Sequence, residues 1–185
     1  MISEKGKSMI LLRKAQCSDA NAIALLHVAS WRDTYRNVMS LDFLENHAED
    51  ELISHWQHLL NQSSPDVSVF VAEKKGIIQG FICVMLNKNA QWGTYINSLH
   101  VSSELRGQGA GKRLLHHTAE WIRRKDSESP LYLWVFEDNV RAIHFYQKLG
   151  GIITEHTVSD MPWSDNAPVF RISWKNADIL EKNTR

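Results

Sequence analysis

The spacing of apolar positions changes along this chain, and each change of period marks an element. Met9 to Lys14 (MILLRK) is a short apolar run that predicts a strand. Cys17-Ser18-Asp19 then offers a helix cap at Ser18 or Asp19, and Ile23, Leu26, Ala29 and Ser30 share one face of a helix over 20–35. A second helical stretch over 41–60 carries Leu52, Ile53, Trp56, Leu59 and Leu60 on one face and breaks near Asn46-His47. After a turn-rich link over 61–66, the β-branched runs 67–74 and 77–86 flank Lys75-Gly76 and predict a hairpin. A polar loop over 87–93 leads to a strand at 94–101. A helix over 112–124 follows, with Leu114, Leu115, Thr118, Ala119 and Ile122 at helical spacing. Ser127 to Pro130 interrupts the chain before a strand at 131–135. The helix over 139–149 aligns Ala142, Phe145, Tyr146 and Leu149, and Gly150-Gly151 stops it. Strands at 152–158 and 169–174 enclose a loop over 159–168, and the polar stretch from Asn176 is expected to fray.

Hairpin strands followed by a strand–helix–strand–helix run point to one mixed sheet with helices on both faces. A right-handed crossover would set strand 94–101 parallel to strand 131–135. The turn after residue 101 would then lie at the carboxyl ends of that pair, where ligands enter open α/β sheets. With no repeat and no linker, residues 1–185 are expected to form a single domain, with a core over about 9–175 and a tail over 176–185.

Composition narrows the classes. The 43% hydrophobic and 23% charged residues are those of a globular chain, and the net charge of +0 disfavours nucleic acid and membrane partners. Cys17 and Cys83 are too few for a disulfide framework and suggest a reducing compartment. The polar N-terminus and the lack of a membrane-length apolar stretch make the cytoplasm the expected location, with a monomer or homodimer expected there. His116 and His117 point to different faces of one helix, and no Cys/His cluster has ligand spacing, so no metal is expected.

The chemistry concentrates at Arg106-Gly107-Gln108-Gly109-Ala110-Gly111. A strand, a glycine-rich turn and a helix start present unpaired N–H groups and a positive dipole end, and Arg106 adds a charged fork. The plainer alternative is a helix start that uses glycine for packing. Two phosphate fingerprints fail: Lys112 is followed by Arg113 rather than Ser or Thr, and Lys112 stands where a dinucleotide motif needs glycine.

Leu99-His100-Val101, a spacer, and then Arg106 to Gly111 resemble the acetyl-CoA signature of the GCN5-related N-acetyltransferase (GNAT) family. A second motif, V-x-x-x-N-x-x-A-x-x-F-Y-x-K-x-G, is matched by Val135, Asn139, Ala142, Phe145, Tyr146, Lys148 and Gly150, so the resemblance spans roughly 9–174. Ser30-Trp31 and Tyr35 resemble one branch of that family. The resemblance implies a mixed, mostly antiparallel sheet of about seven strands with a splayed parallel central pair. It also implies acetyl-CoA as donor. The turn from Arg106 to Gly111, with Lys112, would hold the pyrophosphate; Leu99, His100 and Val101 would carry the pantetheine arm; Asn139, Ala142 and Phe145 would flank it. Tyr146 and Asn139 would be catalytic, Tyr146 as general acid to the departing thiolate. A buried core tyrosine and a plain helix cap remain the alternatives for these two residues.

Family members with a side-chain base often carry Glu or His where this chain has Tyr95 and Asn97, neither of them basic at neutral pH. An ordered water, His27, His100, Glu73 or Glu137 are the remaining candidates. Trp31, Tyr35, Asn97, Trp134 and Trp163 are expected to wall the acceptor site, where an aromatic box could hold an amine. Trp31 and Tyr35 could equally finish a core stripe. A small-molecule primary amine is the expected partner, attacking directly in a ternary complex; a peptide or protein amine stays open, as does a CoA-binding module without turnover.

Overall fold

The computed structural model describes residues 9–62 and 64–185. Residues 1–8 of the expected domain, and Ser63 of the expected turn, lie outside the described residues. Seven strands form one sheet: β1 (Leu11–Lys14), β2 (Val67–Lys74), β3 (Ile77–Asn89), β4 (Gly93–Val101), β5 (Leu131–Phe136), β6 (Ile152–Val158) and β7 (Pro168–Trp174). Their spatial order is β1-β2-β3-β4-β5-β7-β6, and every neighbouring pair is antiparallel except β4–β5.

The two faces carry different helices. α1 (Ala20–Thr34), α2 (Leu41–Asn46) and α3 (Ala48–Asn61) bury Ile23, Val28, Phe43, Leu44, Leu52 and Trp56 against Val69, Val71, Phe81 and Cys83. α4 (Ala110–Lys125), α5 (Val140–Lys148) and α6 (Ala177–Asn183) pack Leu114, Leu115, Ile122, Ile143 and Leu180 against Phe70, Ile82, Val84 and Leu133. Successive residues of a strand feed opposite cores, which is why β2 and β3 read as continuous apolar runs.

The central parallel pair is short. β4 and β5 register only at Thr94–Leu131 and Tyr95–Tyr132. On its other edge β4 follows β3, with Val84 opposite Ile96 and Cys83 opposite Ser98, so Asn97 is an extra residue. Such a bulge bends its strand and ends pairing. It also shifts the alternation by one: Tyr95, Ser98 and His100 share the α1 face, while Ile96 and Leu99 share the α4 face, as their partners on β3 require.

Three expectations differ from the structure. The loop over 87–93 is mostly strand: β3 runs to Asn89, whose Oδ1 accepts from the N–H groups of Gln91 and Trp92 at 2.8 and 3.0 Å and closes a tight connection. Asp19 is the N-cap residue of α1, one of the two expected positions, but its side chain does not make the cap bond. Instead the Asp19 carboxylate accepts from Gln16 N–H at 2.7 Å and from both terminal nitrogens of Arg13, at 2.7 and 3.0 Å, over a short 3-10 turn, Cys17–Asp19. The end expected to fray is helix α6. Asn176 caps it by accepting from Ile179 N–H, Leu180 is fully buried, and Glu181 holds Arg123 of α4 at 2.8 Å. Its polarity belongs to its outer face, and with few turns the apolar stripe was too short to read. Leu180→Ala should cost about 3 kcal/mol of stability, within the range for large-to-small changes at buried sites, measured by urea unfolding.

Candidate active site

The splay of β4 from β5 leaves facing backbone edges unpaired beyond Tyr95 and Tyr132 and opens the middle of the sheet. Two clefts meet there, of about 550 and about 500 Å³. They share Tyr35, Asn97, Ser98, His100, Trp134 and Val135.

The first cleft lies on the glycine-turn side. Leu99, Val101, Arg106, Gly107, Gly109, Ala110, Gly111 and Lys112 line it from β4 and the start of α4, and Asn139, Ala142, Phe145 and Tyr146 from α5. Gly107 and Gly109 have φ of +76° and +81°, a region costly to residues with a Cβ, yet no protein atom lies within 4 Å of where a Cβ would stand. Backbone conformation, not packing, therefore requires glycine at these two positions. Gly111 differs: its φ is ordinary, and a Cβ there would only touch Phe145 and Val101 at 3.7 Å. Arg106 pairs with Asp33 of α1 and donates from Nε to the Val101 carbonyl at 3.2 Å. Gln108 stands apart from the cleft, donating to the Glu104 carbonyl at 2.7 Å and accepting from Lys74 at 3.0 Å.

Asn139 caps α5, its Oδ1 accepting from Ala142 N–H at 3.2 Å. Burial pushes the Tyr35 phenol up, with Asn139 partly offsetting that push. Tyr146 is 8% exposed; burial, with Tyr35 nearby, raises its phenol above the ordinary range, so it stands as a neutral O–H donor.

The second cleft lies under α1 and α3. Trp31, Tyr35, Asn97 and Trp134 line it as expected residues, together with His27, Glu51, His55, Tyr95, Glu155 and Asp160. Trp163 lines neither cleft. It stacks on Phe43 at 4.7 Å, and its carbonyl accepts from Ser40 N–H. Behind the wall, Arg171 pairs with Glu155 and lies over the Trp92 ring at 3.6 Å and beside Trp134 at 5.2 Å, fixing both walls. Glu73 and Glu137 line neither cleft; they pair with Arg13 at 3.0 Å and with His156 at 3.6 Å.

The charges separate. Among the described residues, the first cleft is lined by Arg106, Lys112 and Arg141 and by no carboxylate, the second by Glu51, Glu155 and Asp160 and by no Lys or Arg. The second set had partial sequence signals: Glu51 and His55 stand at i,i+4, and Glu155 and Thr157 alternate inward on β6. Arg141 had none.

A mixed sheet opened at its central parallel pair, with a glycine turn at the opening, is a fold shared with solved N-acetyltransferases. Residues 23–151 match the acetyltransferase (GNAT) family, and the chain belongs to that family. It is 32% identical over 142 residues, 75% of this chain and 78% of the relative, to the uncharacterized N-acetyltransferase YuaI of Bacillus subtilis (strain 168). Two solved structures share the fold. One is the PaiA N-acetyltransferase of Thermoplasma acidophilum in complex with coenzyme A, with a TM-score of 0.69 and 23% identity over 90% of this chain and 99% of that one. The other is a mutant of the spermidine N-acetyltransferase SpeG of Vibrio cholerae, with a TM-score of 0.65 and 20% identity over 94% and 97%. The protein is thus an N-acetyltransferase of the acyltransferase type.

The glycines differ in a testable way. Gly109→Ala should cost about 1 kcal/mol in urea unfolding, because an L-residue is forced to positive φ. Gly111→Ala should leave stability unchanged or raise it by about 0.5 kcal/mol.

Proposed function

We propose that the protein transfers the acetyl group of acetyl-CoA to a primary amine of a small, positively charged molecule, by direct attack with both partners bound. One observation carries this reading: two clefts of opposite charge meet at the opened centre of the sheet. An anionic donor suits the cleft lined by Arg106, Lys112 and Arg141, and a cationic acceptor suits the one lined by Glu51 and Asp160 with aromatic walls. The second cleft offers no cation to anchor a carboxylate among the described residues, which weighs against free amino acids.

Gly107 and Gly109 line the first cleft at the start of α4, where backbone amides would hold a pyrophosphate. When bound, acetyl-CoA supplies the thioester carbonyl that an amine attacks. The chain's residues do the rest. The unpaired edge of β4 near Leu99 can donate backbone N–H bonds to the carbonyl oxygen. Tyr146, neutral and buried, can give its proton to the leaving sulfur. Asn139 fixes the first turn of α5, and through it the phase at which Tyr146 enters the cleft.

A panel of diamines, polyamines, aminoglycosides, amino acids and short peptides, scored by thiol release from acetyl-CoA, tests the acceptor class. Small cationic amines without a carboxylate should react fastest, and turnover of peptides alone would replace this reading with a protein acceptor. Binding of CoA with turnover of no amine would leave a binding module. Tyr146→Phe should lower kcat by about 10²-fold with little change in CoA affinity, measured by steady-state kinetics and calorimetry. Gly109→Glu should abolish CoA binding in calorimetry, since it places a carboxylate and a strained backbone where phosphate would sit.

A further inference from the structure

The acceptor amine must shed a proton as it is acylated, and neither Tyr95 nor Asn97 can take it. We propose that His100 Nε2 is the proton acceptor in the transfer and that Ser30 orients its ring, an inference that rests on the acetyl-transfer reading above.

The geometry singles out this histidine. Six residues line both clefts: Tyr35, Asn97, Ser98, His100, Trp134 and Val135. Only His100 among them carries an imidazole, whose neutral form keeps a nitrogen lone pair that can accept a proton. The bulge at Asn97 brings it there by turning residue 100 onto the α1 face. Ser30 Oγ of α1 lies 2.7 Å from His100 Nδ1. With the ring donating from Nδ1–H to Ser30, Nε2 is left bare.

His27, 4.5 Å away between ring centres, is excluded by its own partner. The Trp56 indole N–H can only donate, and it donates to His27 Nδ1 at 3.1 Å. A neutral His27 therefore carries its proton on Nε2 and has no free lone pair. Glu51, Glu155 and Asp160 line the acceptor cleft alone.

The groups facing His100 are His27 and Ser30 of α1, Phe81 of β3 and Arg106 of the glycine turn. Burial, with the Arg106 charge behind it, holds its imidazole down at about 4, so the lone pair is present throughout the physiological range. An anion seated against Arg106 offsets that charge and makes the ring more basic when the donor is in place.

The proton balance closes. A neutral amine nitrogen bonds to the acetyl carbon as the carbon–sulfur bond breaks; the nitrogen's surplus proton goes to His100 Nε2, and the sulfur takes a proton from Tyr146. Solvent then returns one proton from His100 to the Tyr146 oxygen, leaving amide, thiol and both residues as they began.

Nitrogen NMR of 15N-histidine protein, with His100→Gln identifying the signal, reads the tautomer without turnover. At about pH 7 we expect a neutral ring protonated at Nδ1 and bare at Nε2. His100→Gln should lower kcat by about 10²-fold with CoA affinity within about twofold, and the deficit should narrow toward about pH 10 as hydroxide takes over. Ser30→Ala, the variant to rely on if His100→Gln does not fold, should lower kcat by about tenfold and leave KM alone. A ring protonated at Nε2 overturns the proposal. So does a kcat near that of the unaltered protein in both variants, or a deficit equal at every pH. An unaltered protein that acetylates no amine would instead refute the acetyl-transfer reading, while the tautomer still reports on His100.

Discussion

One extra residue, Asn97, governs the rest of the structure. Without it β4 and β5 could continue their parallel ladder past Tyr95 and Tyr132, and the sheet would close. With it, two strand edges part and leave backbone donors and acceptors facing a gap instead of each other. Unpaired backbone groups at the centre of a sheet are costly unless water or a ligand satisfies them. Each strand stays anchored on its other side, β4 to β3 and β5 to β7.

That gap joins two environments the flanking helices could not otherwise bring together. α4 and α5 present a glycine turn, three cations and a buried phenol; α1 and α3 present aromatic rings, histidines and carboxylates. The residues they share sit where the two clefts meet. Arg106 links the two sides directly, its guanidinium pairing with Asp33 of the helix that carries Trp31 and Tyr35. Cys83 lies under the bulge, and burial pushes its thiol up to about 12.

The fold was legible because its signals are local. The glycine turn, the hairpin at Lys75-Gly76 and the α5 stripe each announce themselves within a dozen residues, and the order of elements follows from them. Tyr146, Asn139 and the turn were placed at one cleft by the same signals. What stayed hidden depends on register. The bulge shifts alternation by one residue, so a plain two-residue period puts His100 on the wrong side of β4. Trp163 looked like a cleft wall because aromatics in loops often are, but its backbone at φ of +72° turns the ring onto Phe43. Arg141 and Asp160 enter the clefts by loop and helix phase that no short pattern encodes.

The most direct test of the account is a crystal structure with CoA bound. The pyrophosphate should lie against the glycine turn from Gly107 to Gly111, the pantetheine arm between β4 and β5 beyond Asn97, and the sulfur beside Tyr146. CoA seated elsewhere, or a central gap filled by the protein's own side chains, would contradict it.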